Sequence, residues 1–382
     1  MILFLVLYLL VYGGGHVYVF LRLVRAFSLP APGQGVLGVF LAMMVLLPVA
    51  VHFLERIGQE RAACLASWTG FLWMGVLFFA LCLLAGLDAW NWVMRLGTVV
   101  TGADRSAWMV GARPAALLAL GGAVLLSVYS AWEATRLQTE RIVLPSAKVS
   151  RPVRIVQISD VHVGFIIAGD RVGHIAAAVE EARPDLVVST GDLVDGQIDS
   201  LLDSMERLRA IRPPLGKFAV TGNHEFYAGL DQALAFTEGA GFTVLRGEGQ
   251  TVGGVLNLAG VDDATGIHAG LAPAVDERAV LDRLDPGLFT VLLRHRPENR
   301  SATAGRFDLQ LSGHTHKGQI FPFSFFTRMA FSHHAGDYRL PGGGLLHVSR
   351  GTGTWGPPMR FLAPPEITVI DLVPGPGREE AK

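Results

Sequence analysis

Hydrophobic and polar positions divide this chain into two regimes. Before about residue 130 the apolar residues run almost unbroken, in four stretches: Met1 to Leu21, Gly35 to Leu54, Cys64 to Leu87 and Pro114 to Trp132. Each is about twenty residues long, the length a ~30 Å hydrocarbon core asks of a helix. They predict a four-span transmembrane region over residues 1–132, with the chain returning to the side on which it began. From Arg154 onward short apolar runs alternate with helical or loop-forming segments, the signature of a layered α/β domain. Strands are expected at Val153 to Ile158, Leu186 to Thr190, Lys217 to Thr221, Val255 to Gly260, Thr290 to Leu293, Asp308 to Ser312, Leu345 to Ser349 and Glu366 to Leu372. Asp170 is placed to cap a helix with Val172, Ile175, Ala176 and Val179 on one face, ended by Pro184. A second helix is expected from about Leu201 to Ile211, before Pro213 and Pro214. The expected organisation is a membrane region at 1–132, a linker at 133–152, a catalytic domain at 153–372 and a disordered tail at 373–382.

Charge follows the same division: of 32 basic and 33 acidic residues, seven and four respectively precede residue 130. No long basic stripe marks the polar part, so a nucleic-acid partner is not expected. Cys64 and Cys82 lie in apolar segments and read as packing residues. A cleaved leader is disfavoured, because no Lys or Arg precedes the first apolar run and the run is too long for an h-region. Orientation signals conflict. Arg22 and Arg25 favour an external N-terminus, while the larger cluster of Arg136, Arg141, Lys148 and Arg151 favours a cytoplasmic domain. His16 and His52 raise a bis-histidine haem, but in antiparallel spans rising 1.5 Å per residue their depths do not match. They read as packed or interfacial.

Four polar clusters follow apolar runs: Asp160-Val-His162, Gly191-Asp192-Leu-Val-Asp195, Gly222-Asn223-His224-Glu225 and Gly313-His314-Thr-His316, joined by an isolated His295. Open α/β sheets gather ligand sites at strand C-termini, and strands about 4.8 Å apart bring distant loops together. In an extended stretch Asp160 and His162 point the same way and can grip one ion. His314 and His316 share that spacing, although the turn at Gly313 could aim them at different ions. Asp192 has two oxygens with which to bridge a pair, Asn223 adds a neutral oxygen and His295 an imidazole. Any one motif alone is weak; their joint occurrence on strand ends points to a two-metal hydrolase.

In these motifs the chain resembles the calcineurin-like metallophosphoesterases over about residues 153–372, since D-x-H, G-D-x-x-D, G-N-H-[DE], a lone His and G-H-x-H occur in order. The resemblance implies a four-layer αββα sandwich. It implies that Asp160, His162, Asp192 and His316 bind a first divalent ion, and Asp192, Asn223, His295 and His314 a second. His224 would be the catalytic acid facing substrate. Two ions about 3.5–4 Å apart could hold a hydroxide for in-line attack on phosphorus, with His224 assisting the departing oxygen. The mixed N/O ligand set suits manganese, iron or zinc. Asp195 reads as an orienting partner.

Gly351-Thr-Gly353-Thr-Trp-Gly356 matches a dinucleotide fingerprint, but Pro357 and Pro358 oppose a helix opening there. Asn299-Arg300-Ser301 matches a glycosylation sequon and reads as incidental. Gly313 to Gln319, Val348 to Gly351 and Ala363 to Ile367 resemble the membrane-associated YkuE/YaeI-like branch. That resemblance implies phosphodiester or pyrophosphate hydrolysis, including a UDP-2,3-diacylglucosamine hydrolase type. Lys317 departs from the branch's usual glycine; facing the cleft it could bind an extra phosphate, facing away it is solvated. Phe321, Phe323, Phe325, Phe326 and Phe331 form either core or a loop resting in the bilayer interface with Arg328 near head groups. Expected partners are thus a phosphoester, lipid-linked or soluble, and membrane lipids. The alternatives are a tethered phosphatase or nucleotide phosphodiesterase with a soluble substrate, and a non-catalytic metal-stabilised binding domain.

Overall fold

A computed structural model of the chain describes residues 6–196 and 201–376. It divides into two compact units, residues 1–132 with 356–359, and 133–355 with 360–382. Among the described residues, four segments are long and apolar enough to cross a membrane: Val6–Phe27, Ala31–Arg56, Glu60–Thr101 and Ser106–Thr135. The first expected span begins at Met1, and residues 1–5 lie outside the described residues. The third helix outruns its expected end at Leu87. Its 42 residues correspond to about 63 Å at 1.5 Å per residue, because no proline intervenes and Gly97 alone does not stop the helix before Gly102, which closes it at φ 70°. The polar residues of the extra turns are used in packing: Asp88 accepts from the Tyr18 hydroxyl at 2.6 Å and pairs with Arg22 at 2.8 Å. Both nitrogens of His16 are engaged, one with the Tyr12 carbonyl at 2.8 Å and one by Trp73 Nε1 at 2.9 Å. Neither is left for an axial haem bond.

The second unit is built on two six-stranded sheets. Its strands are β1 (Gln138–Ser146), β2 (Val153–Ile158), β3 (Leu186–Ser189), β4 (Lys217–Ala219), β5 (Thr243–Val244), β6 (Glu248–Val252), β7 (Leu256–Gly260), β8 (Phe289–Leu293), β9 (Leu309–Ser312), β10 (Gly336–Arg339), β11 (Leu345–Val348) and β12 (Glu366–Pro374). The orders are β1-β12-β2-β3-β4-β5 and β10-β11-β9-β8-β7-β6. β2 to β5 run parallel, as do β7, β8, β9 and β11.

Alternation along each strand splits the apolar side chains between layers. Ile155, Val188, Phe218, Val291 and Leu309 meet in the core between the sheets. Val156, Ile158 and Val187 face outward against the helix Asp170–Glu181, through its Val172, Ile175 and Val179, and against Leu208, Ala233 and Phe236 of two further helices. On the other outer face Ala259, Leu292 and Leu346 pack with Leu281 of Glu277–Leu281. The result is the expected helix, sheet, sheet, helix layering. Strands buried on both faces read as predominantly apolar runs, which is why the sequence locates them, although single buried polar residues such as Gln157 and Asn257 interrupt them here.

Three local expectations change. Part of the expected linker, Gln138–Ser146, is the strand β1, paired in parallel with β12 over its whole length; only one of its faces is buried, through Ile142 and Leu144, so its sequence carries only the short apolar run Ile142 to Leu144 behind a polar first half. At the other end β12 continues to Pro374, and residues 377–382 of the expected tail lie outside the described residues. Finally, Asp170 is the first residue of its helix rather than the cap, a position taken by Gly169 without a side-chain bond.

Candidate metal centre

Every motif residue lies just past the C-terminal end of a parallel strand: Asp160 and His162 after β2, Asp192 after β3, Asn223 and His224 after β4, His295 after β8, His314 and His316 after β9. The loops converge at one edge of the two sheets, and two of the groups they form share Asp192 as neighbour. In one, Asp160, His162 and His316 offer atoms within 4.8 Å of one another. His162 Nε2 lies 3.2 Å from His316 Nε2, and His316 Nε2 lies 3.4 Å from Asp160 Oδ1. In the other, His295 Nε2 lies 3.2 Å from Asp192 Oδ2, 3.3 Å from Asn223 Oδ1 and 3.0 Å from His314 Nδ1. Asp192 Oδ2 is also 3.8 Å from His162 Nε2, which sets this carboxylate between the groups. His314 and His316 therefore serve different groups, the second of the two orientations open from sequence.

Asp160 and His162 do not reach the site by the extended geometry expected of them. Asp160 (φ 51°), His162 (φ 54°), Asp192 (φ 51°), His314 (φ 71°) and His316 (φ 48°) all hold left-handed backbone, a conformation disfavoured for non-glycine residues by about 1–2 kcal/mol each. Such strain persists only where surroundings impose it. The surroundings are visible: Asp160 N donates to the Gly191 carbonyl at 3.0 Å and its carboxylate accepts from His314 N at 2.9 Å. Gly222 is a glycine because a Cβ there would lie 2.6 Å from Asp192 N.

The Gly351–Gly353 turn is bent round Asp160 rather than open to a phosphate. Thr352 N and Gly353 N donate to the Ser159 and Asp160 carbonyls at 2.7 and 3.0 Å, and a Cβ on Gly353 would meet the Val161 carbonyl carbon at 2.7 Å. Its amides are thus already used.

Three residues with no role assigned from sequence complete the frame. Glu225 is buried and accepts from Gly222 N (2.6 Å), Leu193 N (2.7 Å) and Asp192 N (3.0 Å), binding two motif loops together. Arg360 is fully buried and donates to the carbonyls of Arg350 (2.6 Å), Gly353 (2.5 Å) and His316 (3.2 Å). The Thr190 carbonyl accepts from His295 Nδ1 at 2.9 Å, which sets the orientation of the ring and turns Nε2 toward Asp192. Glu225 belongs to a quoted motif, so its carboxylate was a signal; Arg360 sits outside any motif and only its burial reveals it. Glu225→Ala is expected to leave four backbone N–H groups unpaired, those of Asp192, Leu193, Val194 and Gly222, at about 1–3 kcal/mol each, and to lower the apparent unfolding midpoint by several degrees. Glu225→Gln keeps an acceptor oxygen and should lose less, as melting curves recorded at one scan rate would show.

Burial sets most protonation states here. It pushes His162 down to about 4 and His314 to about 3, and holds His316 far below the usual imidazole range. Neutral imidazoles are what cation binding needs. Burial alone would also lower His295, but Asp192, followed by Asp160 and Asp263, lifts it to about 10; cation uptake at its Nε2 must then release a proton. Desolvation raises Asp160 to about 6. For His224 burial is again outweighed, by the charges of Asp192 and Asp195 and by a 2.6 Å contact of Nδ1 with Asp195 Oδ1, lifting it to about 9. The donor set of imidazole nitrogens and carboxylate and amide oxygens, converged within 3 to 4 Å, fits divalent transition cations. His162 Nδ1 is buried without a hydrogen-bond partner, with Asp195 Oδ1 at 3.9 Å.

A two-sheet sandwich with such a cluster at its strand ends defines a metallohydrolase. The chain belongs to the calcineurin-like metallophosphoesterase family: residues 153–318 match the family model described as calcineurin-like phosphoesterase, and an Aquifex aeolicus metallophosphoesterase is 40% identical over 253 residues, 65% of this chain and 97% of that protein. The Bacillus subtilis metallophosphoesterase YkuE is 33% identical over 236 residues, 57% of this chain and 78% of that protein. A Bos taurus transmembrane protein with metallophosphoesterase domain is 30% identical over 328 residues, 79% of this chain and 72% of that protein. The chain is accordingly a metal-dependent phosphoesterase by family, with transmembrane relatives and four apolar helices of its own.

Proposed function

We propose that this protein is a membrane-anchored, dinuclear phosphoesterase that hydrolyses a phosphodiester or pyrophosphate bond. The observation that carries the reading is the placement of Asp192 Oδ2 between His295 Nε2 at 3.2 Å and His162 Nε2 at 3.8 Å. Asp160, His162, His316 and Asp192 would hold one ion; Asp192, Asn223, His295 and His314 the other. When bound, such ions supply Lewis acidity toward a phosphoryl group and a water nucleophile at neutral pH.

The chain's own groups then do the rest. Asp195 fixes the His224 ring through Nδ1, and a ring lifted to about 9 carries a proton at neutral pH on the nitrogen Asp195 does not hold. That proton is available to the oxygen leaving phosphorus. Rings of Tyr227 and Trp355, both largely exposed, stand 5.5 and 5.8 Å from the His224 ring and flank the approach to it. Chelation should abolish hydrolysis of bis(p-nitrophenyl) phosphate by the full chain, and manganese should restore it; undiminished turnover by protein shown metal-free by elemental analysis would sink the reading.

A lipid-linked substrate is favoured by one feature. Phe321, Phe323, Phe325, Phe326 and Met329, on and beside the helix Ser324–Ala330, are exposed rather than core, an apolar group suited to a bilayer interface. Phe325→Ser with Phe326→Ser is expected to cut turnover of a lipid-linked diester presented in vesicles about tenfold, since each buried aromatic is worth ~1.5–3 kcal/mol in full and only part is engaged. Turnover of a soluble chromogenic diester should change little. Equal losses on both would favour the soluble-substrate alternative. The cluster of Arg136, Arg141, Lys148 and Arg151 supports a cytoplasmic domain.

A further inference from the structure

Directly beside the candidate metal centre lies a concavity of about 340 Å³, lined by Lys317, Arg328, Phe331, Ser332, His334 and Tyr338 among others. It belongs to neither of the two ligand groups, yet it adjoins them: Phe331 packs edge-on against His314, ring centroids 5.2 Å apart, and Lys317 follows His316 in the chain. Among the described residues no acidic side chain lines it. Neither Lys317 nor Arg328 has a carboxylate at ion-pair distance among the described residues. Two unpaired cations bordering one hollow create a positive potential that only an anion from outside can neutralise.

The walls are fixed from behind. The His334 carbonyl accepts from Thr315 Oγ1 at 2.6 Å, and its Nε2 lies 2.7 Å from Thr327 Oγ1. The Tyr338 hydroxyl takes His334 N at 3.0 Å. Burial, then the charges of Arg328 and Lys317, lower the His334 pKa, which agrees with both cations facing this ring. Lys317 also sits at φ 52°, a backbone position that glycine fits at no steric cost. A lysine kept in such a conformation points to a use for its side chain.

We propose that this concavity is a second anion subsite, which holds a phosphate or carboxylate group of the same substrate whose scissile phosphate lies at the metal centre. The natural substrate therefore carries at least two anionic groups. Arg328 can engage two oxygens of such a group in a fork, and Lys317 a third as a point charge. The inference rests on the proposed hydrolysis only in taking the neighbouring centre as the place of the first phosphate.

The test uses equilibrium binding to the full-length chain in detergent with manganese present, read by titration calorimetry. The ligands are α,ω-alkane bisphosphonates with spacers from methylene to hexamethylene, each paired with the alkylphosphonate of equal length; ω-carboxyalkylphosphonates form a third arm that separates phosphate from carboxylate preference. At one spacer length or more, the doubly anionic ligand is expected to bind about tenfold tighter than its partner, as one added charge-assisted contact allows. Lys317→Gly with Arg328→Ala should bring that ratio to about one; the glycine suits the left-handed backbone and the arginine is exposed, so folding is not put at risk. No preference at any length, or a preference that survives the double substitution, overturns the subsite. Failure of the proposed hydrolysis is read separately, as no turnover of bis(p-nitrophenyl) phosphate by the same preparation.

Discussion

Asp192→Ala is expected to lower kcat/KM on bis(p-nitrophenyl) phosphate by about a thousandfold or more, the scale on which loss of one preorganised charge at a reacting centre is felt. Bound metal, read by elemental analysis, should fall from about two ions per chain to one or none. The expectation follows from position, because this carboxylate is the neighbour common to both imidazole groups, at 3.2 Å from His295 Nε2 and 3.8 Å from His162 Nε2. Its other oxygen accepts from His224 N at 2.8 Å, so the loss also loosens the start of the helix Asn223–Ala228. Retained activity with full metal occupancy would remove Asp192 from its bridging role.

His224→Gln separates the acid from the ligands. Positioned proton donors contribute about 10² to 10⁴-fold, so kcat should drop by that much while two ions remain bound. The distinction is needed because His224, His162 and Asp192 also bring atoms within 4.8 Å of one another, a third grouping in which His224 would itself be a ligand. The 2.6 Å contact between His224 Nδ1 and Asp195 favours the acid role, since it occupies one ring nitrogen and stabilises the protonated ring. Loss of an ion in His224→Gln would decide for the ligand role instead.

The parts of the fold that were legible from sequence share a physical cause, and so do the parts that were not. Each of the eight expected strands has a counterpart with matching or nearly matching ends, because strands interior to the sheets are covered on both faces and their runs are mostly apolar, broken by single buried polar residues such as Gln157, Asn257 and Gln310. The four strands not foreseen, β1, β5, β6 and β10, are the four edges of the two sheets. Edge strands need to be apolar on one face at most and commonly carry charges, as Glu140, Arg141, Glu248, Asp337 and Arg339 do here. The grouping of the candidate ligands was legible because ligand chemistry uses few residue types at tight spacing. What spacing could not convey was backbone conformation: D-x-H suggests an extended pair, whereas both residues are left-handed. Nor could it reveal Arg360, whose partners are mostly backbone carbonyls, with His316 Nδ1 at 3.2 Å, and leave no pattern along the chain.

The left-handed backbone at Asp160, His162, Asp192, His314 and His316 bears on how much of this protein a cell holds, as well as on how the protein works. Strain in the folded chain lowers its stability, and a ligand that binds only the folded form restores stability in proportion to RT ln(1 + [L]/Kd). A change of about 1–2 kcal/mol alters steady-state abundance several-fold through surveillance of unfolded chains. Metal supply would then govern the number of these molecules that escape degradation, so that scarcity is felt first as a shortage of protein and only second as a shortage of turnover.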